Sequence, residues 1–336
     1  MKPDIITSKS TIKIITLSLA DLDAIFHLIS SSYQRDSGDL TITFYSRDYL
    51  YWYLRVIPSE FMVGVTFNDK LVGLIVANII PYIWKCIKGD CHCEFAQISL
   101  FCVDERVRGI GLGKLLIREM EKRLAAADIT QTLHLATQRY KRLGMESSIG
   151  LTVFIIPINC ERLYKIGFLE HPQELPYIEN NLLHLMSADD IDCVVTKLNA
   201  SHKSQTLRPK FTNEILSTML TKKRVVYSFV QKNKQGEVTD FVCVFQRYQL
   251  VLENEEEVSE AVLGFYFHET MNITLLLAHL IDKLYGYGFD HLSYLSTGEN
   301  LDIDLKRLTL PDTSYLHFGR FKLSETLHQK INVFPF

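Results

Sequence analysis

The chain has 336 residues, of which 47% are hydrophobic and 22% are charged, and its formal net charge is −3. A chain of this length and composition is typical of a globular protein and is long enough for one large domain or two domains of roughly 150 residues each. The nearly balanced charge argues against a nucleic-acid-binding or membrane-surface protein, and no apolar run approaches the ~18 uncharged residues of a membrane span.

The first half of the chain predicts two helices followed by a hairpin. The N-terminal segment MKPDIITSKSTIKIITLSLADLD is interrupted by polar residues too often to be a signal peptide. The helical segments are LADLDAIFHLISSSY and SRDYLYWYLRV. The hairpin is FMVGVTFNDKLVGLIVANII, in which Asn68 and Asp69 form the turn between two β-branched runs.

Three cysteines and a histidine cluster after this hairpin in the segment KCIKGDCHCEF, as Cys86, Cys91, His92 and Cys93. A zinc site needs ligands that close a tetrahedron, whereas neighbouring residues of a strand point to opposite faces. We therefore favour a hairpin turn at Gly89-Asp90 with incidental thiols and expect no metal. The seven cysteines of the chain, an odd number in apolar surroundings, are typical of buried thiols in a reducing compartment, so we expect a cytoplasmic protein.

A strand, FAQISLFCVD, leads directly into three alternating glycines and a helix. Glycines at such a turn let backbone N–H groups approach a phosphate, whose charge the helix N-terminus favours. The turn Arg108-Gly-Ile-Gly-Leu-Gly113 therefore predicts a phosphate-binding loop. The helix after it carries an apolar stripe formed by Leu112, Leu115, Leu116, Met120 and Leu124.

Spacing excludes two familiar phosphate loops at this turn. A P-loop would need a glycine at Arg108 and a hydroxyl residue at Leu115 to bind magnesium. The dinucleotide-binding fingerprint needs Gly-x-Gly-x-x-Gly, whereas Gly109, Gly111 and Gly113 are spaced two and two. Neither a nucleoside triphosphate nor NAD fits this spacing.

The second half repeats the order of elements in the first. SADDIDCVVTKL (187–198) echoes LADLDAIFHLI (19–29), and a hairpin turning at Gln235-Gly236, a long helix and a strand follow. This repetition predicts duplication of one α/β unit, with a linker near residues 172–184. The second copy has FHETMNITLLL where the first has its glycines, so only the first is expected to bind phosphate.

The pattern Arg108-x-x-Gly111-x-Gly113 between a strand and a helix resembles the pyrophosphate loop of the GNAT acyltransferases, which bind coenzyme A. The chain as a whole resembles the protein N-myristoyltransferase family from about residue 11 to its C-terminus. The segments that carry this resemblance, in order, are FYSRDYLYWYLRVIP, KLVGLIVANI, QISLFCVDERVRGIGLGKLLIREMEKRL, IPINCERLYKIGF and GEVTDFVCVF.

The resemblance implies an α/β fold of two tandem GNAT-like units with mixed sheets flanked by helices, related by a pseudo-twofold axis. It implies transfer of a myristoyl group from myristoyl-CoA, the acyl-donor substrate, to the α-amine of an N-terminal glycine, with no permanently bound cofactor. Residues 1–172 would bind acyl-CoA, and residues 173–336 would contribute the peptide site and return the C-terminus to the active site. The implied partners are myristoyl-CoA, CoA and glycine-initiated peptides or proteins, without nucleic acid or metal, and a monomer is expected.

The family's motifs also imply site residues. The N–H groups of Leu100 and Phe101 would form the oxyanion hole, and the α-carboxylate of Phe336 would be the base. A solvated α-carboxyl has a pKa of ~3.5 and an α-ammonium one of ~8, so burial within the apolar end VFPF would be needed to raise its basicity. The family attacks directly with the amine, so Cys102 is interpreted as a core thiol. The implied donor-binding residues are Cys102, Val103, Arg108, Gly109, Ile110, Gly111, Leu112, Gly113 and Lys114. The implied substrate-binding residues are Tyr33, Asp36, Asp39, Ser99, Thr137, Asn159 and Tyr266.

Several departures from the family concern the peptide half. Ser99 replaces an asparagine, the acidic peptide loop retains only Asp36 and Asp39, and a Tyr-x-His element is lost. The family's N-terminal lid has no counterpart in the ten residues before Thr11. In contrast, the donor loop follows the general GNAT pattern. Two alternatives stay open: a tandem GNAT that transfers a shorter acyl group, and a non-catalytic protein that binds acyl-CoA or acyl-peptide.

Overall fold

The structure is a computed structural model that describes residues 11–32, 41–86, 89–136, 147–171, 178–220, 224–251, 254–297 and 308–319, together with positions 300, 303, 331 and 333. The helices in these ranges are α1 (Leu22–Ser32), α2 (Arg47–Leu54), α3 (Leu112–Ala126), α4 (Cys160–Lys165), α5 (Ile191–Ser201), α6 (Asn213–Met219) and α7 (Ile273–Gly286). The strands are β1 (Ile12–Thr16), β2 (Thr41–Phe44), β3 (Met62–Phe67), β4 (Lys70–Cys86), β5 (Gly89–Val103), β6 (Gln131–Ala136), β7 (Ser147–Pro157), β8 (His184–Leu185), β9 (Leu207–Pro209), β10 (Val226–Lys232), β11 (Val238–Val251), β12 (Glu256–His268), β13 (His291–Leu295) and β14 (Leu308–Gly319).

The described strands form one continuous mixed sheet. Its order is β1-β3-β4-β5-β6-β14-β7-β13-β12-β11-β10-β8, with β9 paired to β4 and β2 paired to β11. None of the helices in the described ranges is long and apolar enough to cross a membrane.

Two units of this sheet share one pairing pattern. In the first, β3, β4 and β5 are antiparallel and α3 leads from β5 to the parallel strand β6. In the second, β10, β11 and β12 are antiparallel and α7 leads from β12 to the parallel strand β13. The registers also correspond, since Gly73 pairs with Val103 as Phe241 pairs with Phe267. The repetition confirms the predicted fold of two tandem α/β units.

The two units exchange strands at the centre of the sheet. The late strand β14 pairs with β6 of the first unit, and the earlier strand β7 pairs with β13 of the second. β14 and β7 also pair with each other, which makes the sheet continuous. The domain division at residue 172 stays a prediction, since residues 172–177 lie outside the described ranges.

Local sequence signals explain where several helices begin. The N–H of Ser18 donates to the Asp21 carboxylate at 2.8 Å before α1, and the N–H of Ser187 donates to the Asp190 carboxylate at 2.8 Å before α5. Both pairs form capping boxes, which satisfy N–H groups that a helix leaves without acceptors. The shared capping box agrees with the predicted repetition between residues 19–29 and residues 187–198.

The apolar stripe of α3 packs against the sheet of the first unit. Leu112, Leu116, Met120 and Leu124 recur every four residues and are all buried, whereas the predicted stripe residue Leu115 is only partly buried. Spacing of this kind places side chains on one helix face. The face orients α3 so that its N-terminus lies at the end of β5.

The hairpin turns agree in part with the prediction. Asn68 and Asp69 both have positive φ, +52° and +62°, as a two-residue turn between twisted strands requires. The second turn was predicted at Gly89-Asp90, which is wrong, because Gly89 and Asp90 belong to β5 and already pair with Cys86 and Lys85 of β4. In the described part of the chain, no three His, Cys, Asp or Glu side chains are grouped to hold a metal ion.

Candidate functional site

A β-bulge interrupts β5 at Leu100 and Phe101. The register with β4 is regular up to Ser99 and resumes at Cys102, so that two residues of β5 oppose a single residue of β4. Leu100 has a φ of +47°, a left-handed conformation that is rare for a branched side chain. Pairing of β5 with β6 ends at Ile98, and the two parallel strands separate beyond it. The bulge therefore takes the backbone of Leu100 and Phe101 out of the β4–β5 register, at the place where β5 and β6 separate.

The loop from Asp104 to Gly111 joins the bulged strand to α3. Gly109 and Gly111 have φ values of +89° and +92°, which favour glycine, and no atom lies within 4 Å of the place where a Cβ would stand. Gly111 caps α3 without a side-chain hydrogen bond, and the first N–H groups of a helix have no acceptor within it. This end of α3 can therefore receive an anion.

Arg108 ties this loop to the first helix. Its Nε donates to the carbonyl of Val103 at 3.1 Å, and its Nη2 donates to the carbonyl of Ser32 at 2.9 Å. These bonds use part of the five N–H donors of the guanidinium. Arg108 thereby joins the end of α1, the end of β5 and the glycine loop.

Asp104 shapes the start of the same loop. Its Oδ1 accepts from the N–H of Arg106 at 3.0 Å, and its two oxygens accept from the Arg106 side chain at 2.9 and 2.5 Å. The hydrogen bonds from Arg106 lower the pKa of Asp104 in spite of its burial. The carboxylate therefore stays charged at neutral pH and holds the loop against the end of β5.

Two buried polar groups flank the bulge. The Tyr53 hydroxyl lies 2.7 Å from the Ser99 hydroxyl, and burial raises the pKa of Tyr53, so the phenol is neutral. Burial raises the pKa of the Cys102 thiol to about 12. Because a thiolate is the reactive form of cysteine, this supports the interpretation of Cys102 as a core thiol.

The C-terminal segment returns to the first unit. Ile331 forms a parallel bridge with Leu207 of β9, and both Ile331 and Val333 are buried. β9 is antiparallel to β4, which is antiparallel to β5. At Ile331 the C-terminal segment therefore runs in the same direction as β5, that is, toward the end that carries the bulge.

The structure brings only some of the predicted site residues together. Asn159 accepts a hydrogen bond from the N–H of Arg162 at 3.3 Å and so caps α4, and the hydroxyl of Tyr266 donates to Asn300 at 3.0 Å. Ser99, Leu100, Phe101, Cys102, Val103 and the loop from Arg108 to Lys114 form one contiguous region. Five predicted site residues, Tyr33, Asp36, Asp39, Thr137 and Phe336, lie outside the described residues.

The sequence did not predict the role of Tyr53. Its helix was predicted, but nothing in SRDYLYWYLRV distinguishes the tyrosine that bonds Ser99 from Tyr49 and Tyr51 before it. A strand bulge likewise has no local signature here, because Leu100 is a residue type that disfavours positive φ. Both features depend on contacts distant in the sequence.

Comparison with known proteins gives a consistent result for both halves. The family model "Myristoyl-CoA:protein N-myristoyltransferase, N-terminal domain" matches residues 6–142, and the corresponding C-terminal domain model matches residues 171–302. A protein of Acanthamoeba polyphaga mimivirus assigned as a glycylpeptide N-tetradecanoyltransferase is 34% identical over 95% of this chain and 89% of its own length. The glycylpeptide N-tetradecanoyltransferase of Kluyveromyces lactis is 28% identical over 74% of this chain, which spans just 57% of that longer protein.

The fold is also that of a solved structure. The crystal structure of Saccharomyces cerevisiae N-myristoyltransferase with bound myristoyl-CoA superposes with a TM-score of 0.81. The match covers 98% of this chain and 85% of the yeast chain, at 18% sequence identity.

Proposed function

The chain belongs to the protein N-myristoyltransferase family, and on that premise we propose that it transfers a myristoyl group from myristoyl-CoA to the α-amine of an N-terminal glycine. The observation that carries the proposal is the Leu100 bulge directly ahead of the open glycine loop. A donor held by its phosphates at that loop can present its thioester carbonyl to the bulge. Residues 1–172 would then form the donor half and residues 173–336 the half that supplies the peptide site.

The donor's pyrophosphate would bind at the N-terminus of α3. The glycines at 109, 111 and 113 leave the backbone accessible, and the helix N-terminus attracts the negative charge. Arg108 and Lys114 add positive charge, and Arg108 is already oriented by its two carbonyl acceptors. Residue Ile110 is exposed at the apex of the loop, where it can cover the apolar part of the donor.

The backbone N–H groups of Leu100 and Phe101 would stabilise the oxyanion. Acyl transfer places negative charge on the thioester oxygen, and donors fixed in advance stabilise that charge without reorganisation. The left-handed backbone at Leu100 supports this role, since strained residues in a sheet are commonly kept for function. Because the donors are backbone groups, the identity of the two side chains is not critical.

The nucleophile would be the neutral α-amine of the incoming glycine. Its ammonium form gives a proton to the Phe336 carboxylate, and the nitrogen lone pair then forms a bond to the thioester carbon while the carbonyl electrons move to oxygen. Collapse of this intermediate breaks the C–S bond, and the second proton lost by nitrogen goes to the departing CoA thiolate. The buried, parallel course of Ile331 and Val333 supports the return of the C-terminus toward the bulge.

The substrate peptide would lie near Ser99 and Tyr266. Of the predicted peptide residues in the described ranges, Ser99 is closest in sequence to the bulge and Tyr266 occupies β12 in the second unit. Asn159 caps α4 and is assigned a structural role.

The test is mass spectrometry of a glycine-initiated peptide incubated with the protein and an equimolar panel of C2 to C16 acyl-CoAs. The matched control is the same peptide with alanine in place of the first glycine. A C14 product on the α-amine of the glycine peptide alone would establish the proposed function.

The other outcomes each point to an alternative. A short-chain product would make the protein a tandem GNAT with a different donor. Saturable CoA binding without transfer of any acyl group in the panel would make it a non-catalytic acyl-CoA-binding protein.

A further inference from the structure

The second unit contains a counterpart of the bulge in β5. The register of β12 with β11 is regular up to Leu263 and resumes at Tyr266, so Gly264 and Phe265 oppose the single residue Cys243. Pairing of β12 with β13 ends at Val262, two residues before this bulge, as pairing of β5 with β6 ends two residues before the first bulge. The bulge thus occupies the equivalent position in the repeated unit.

In the second unit this bulge is filled by side chains. The N–H of Phe265 donates to the Cys243 Sγ at 3.2 Å, and burial raises the pKa of this thiol to about 12. A Cβ at Gly264 would stand 2.5 Å from the Phe245 ring and 2.8 Å from the Cys243 sulfur, so no space for a ligand adjoins the bulge. At the first bulge, by contrast, the opposed β4 residue is Ile75, whose side chain carries no hydrogen-bonding group.

The loop before α7 is likewise bound by a side chain of the protein itself, the Asp240 carboxylate. The Asp240 Oδ1 accepts from the N–H groups of Glu269, Thr270 and Met271 at 3.1, 3.2 and 3.1 Å. The Thr270 hydroxyl donates to the other carboxylate oxygen. Asp240 has 0% exposure, so this carboxylate is enclosed by the loop that it binds. Successive backbone N–H groups that converge on one acceptor form an anion-binding concavity.

Asp240 is ionised in this setting. Burial would raise its pKa, but the hydrogen bonds from Thr270 and Met271 outweigh burial and lower it. A carboxylate anion that accepts from several backbone N–H groups in the loop before a helix is held by the same kind of donors that would hold a phosphate. In the first unit the position equivalent to Asp240 is Val72, one residue before Gly73 on β4, and it offers no such charge.

We propose that the second unit retains an anion-binding loop of the donor type, closed by the Asp240 carboxylate in place of a phosphate and by the Cys243 thiol in place of a carbonyl oxygen. The comparison with a donor loop rests on the proposed function of the first unit, but the occupancy of the second loop by Asp240 does not depend on it.

The test is chemical rescue of Asp240→Ala by formate, which has the size and charge of the carboxylate that this substitution removes. The thermal midpoint of unfolding is measured for wild type, Asp240→Ala and Asp240→Asn in sodium formate and in sodium chloride at equal ionic strength. Asp240→Ala should unfold roughly 5 °C or more below wild type in chloride, since several buried donors lose their acceptor. Formate should recover most of this loss for Asp240→Ala, saturably, and should leave wild type unchanged.

Asp240→Asn is the matched variant, because its amide fills the same space and leaves no room for formate. It should be destabilised and should not respond. If Asp240→Ala does not fold in chloride, the recovery of soluble protein after refolding in formate or in chloride replaces the thermal midpoint. A response of Asp240→Ala no larger than that of Asp240→Asn or wild type would overturn the proposal.

Calorimetric titration of the wild-type protein with CoA tests the stoichiometry separately. One equivalent is expected, and two equivalents would show that the second unit is open. Absence of CoA binding would count against the proposed function of the first unit, whereas the formate experiment would still decide the role of Asp240.

Discussion

The hydroxyl groups of Tyr53 and Ser99 lie 2.7 Å apart, and both residues are buried. Tyr53 belongs to α2, and Ser99 is the last residue of β5 before the bulge. This bond therefore connects a helix of the first unit to the strand segment that aims the N–H groups of Leu100 and Phe101. A small displacement of such donors weakens their interaction with an oxyanion, because hydrogen bonds depend steeply on geometry.

Removal of the Tyr53 hydroxyl should slow turnover more than it weakens donor binding. We expect Tyr53→Phe to lower kcat by roughly tenfold, with little change in the KM for acyl-CoA and a stability loss of about 1 kcal/mol. Steady-state kinetics would measure this. Tyr49→Phe, the same change on a buried tyrosine one turn earlier in α2, is the control and should retain kcat. A Tyr53→Phe and Ser99→Ala double variant no slower than the slower single variant would confirm that the two groups act as a pair.

Local sequence patterns were sufficient to predict the repeated elements of the fold. The paired positive φ angles at Asn68-Asp69, the capping residues Ser18 and Ser187 and the buried stripe of α3 all follow from short-range signals. The exchange of β7 and β14 between units could not be predicted in this way, because strand order depends on pairing between residues far apart in the chain.

The candidate site likewise contains one feature that local sequence predicts and others that it does not. The glycine loop carries its own signal, since Gly109 and Gly111 adopt φ values that other residues avoid. The bulge at Leu100 has no such signal, because the register of β4 and β5 creates it. The same holds for Asp240, whose N–H donors Glu269 and Met271 lie 29 and 31 residues later, so that it meets the loop before α7 only after β11 and β12 pair.

The conformation of Gly111 should be required for donor binding. Gly111→Ala would introduce a Cβ at a φ of +92° without a steric clash, so its stability cost of about 1 kcal/mol comes from the backbone alone. Relief of that strain would rotate the first N–H groups of α3, and we expect the KM for acyl-CoA to rise roughly fivefold. Gly236→Ala, at a φ of +84° in the β10–β11 turn, is a matched control. It should show a similar stability loss and an unchanged KM, and equal KM values for the two variants would contradict this role of the loop.

Cys102 should be dispensable for the reaction. With its pKa raised to about 12 by burial, almost none of the thiol is ionised at neutral pH. We expect Cys102→Ala to keep kcat within about threefold of wild type and to lose about 1 kcal/mol of stability from the small cavity. Mass spectrometry of the protein incubated with acyl-CoA alone would check for a covalent adduct. An acyl group attached to Cys102, or inactivation of Cys102→Ala, would instead establish an acyl-enzyme.

Stability should fall as the pH drops from about 6.5 to about 4, in part because of His202. Burial lowers the pKa of this histidine to about 4, against a backbone hydrogen bond with Tyr266 that acts in the opposite direction. In that window the unfolded chain binds the proton and the folded chain does not, so the free energy of unfolding decreases toward low pH. The difference from 6.5 to about 4 corresponds to on the order of 3 kcal/mol. His202→Phe should flatten this part of the profile, as measured by denaturant unfolding at several pH values, and an unchanged slope would exclude His202 as the cause.

The α-carboxylate of Phe336 should be essential as a base rather than for binding. Ile331 pairs with Leu207 and Val333 is buried, so the chain is fixed beside β9 a few residues before its end. Semisynthesis of a C-terminal carboxamide removes the charge and basicity without adding a group of different size. We expect kcat to fall by roughly 10²-fold or more, the contribution typical of a general base, while the Kd for acyl-CoA stays the same. Extension of the chain beyond Phe336 should have the same effect, whereas an N-terminal extension of equal length should have none. Full activity of the carboxamide would require the proton to be taken by a different group, and loss of acyl-CoA binding would show that the C-terminus acts in assembling the donor site.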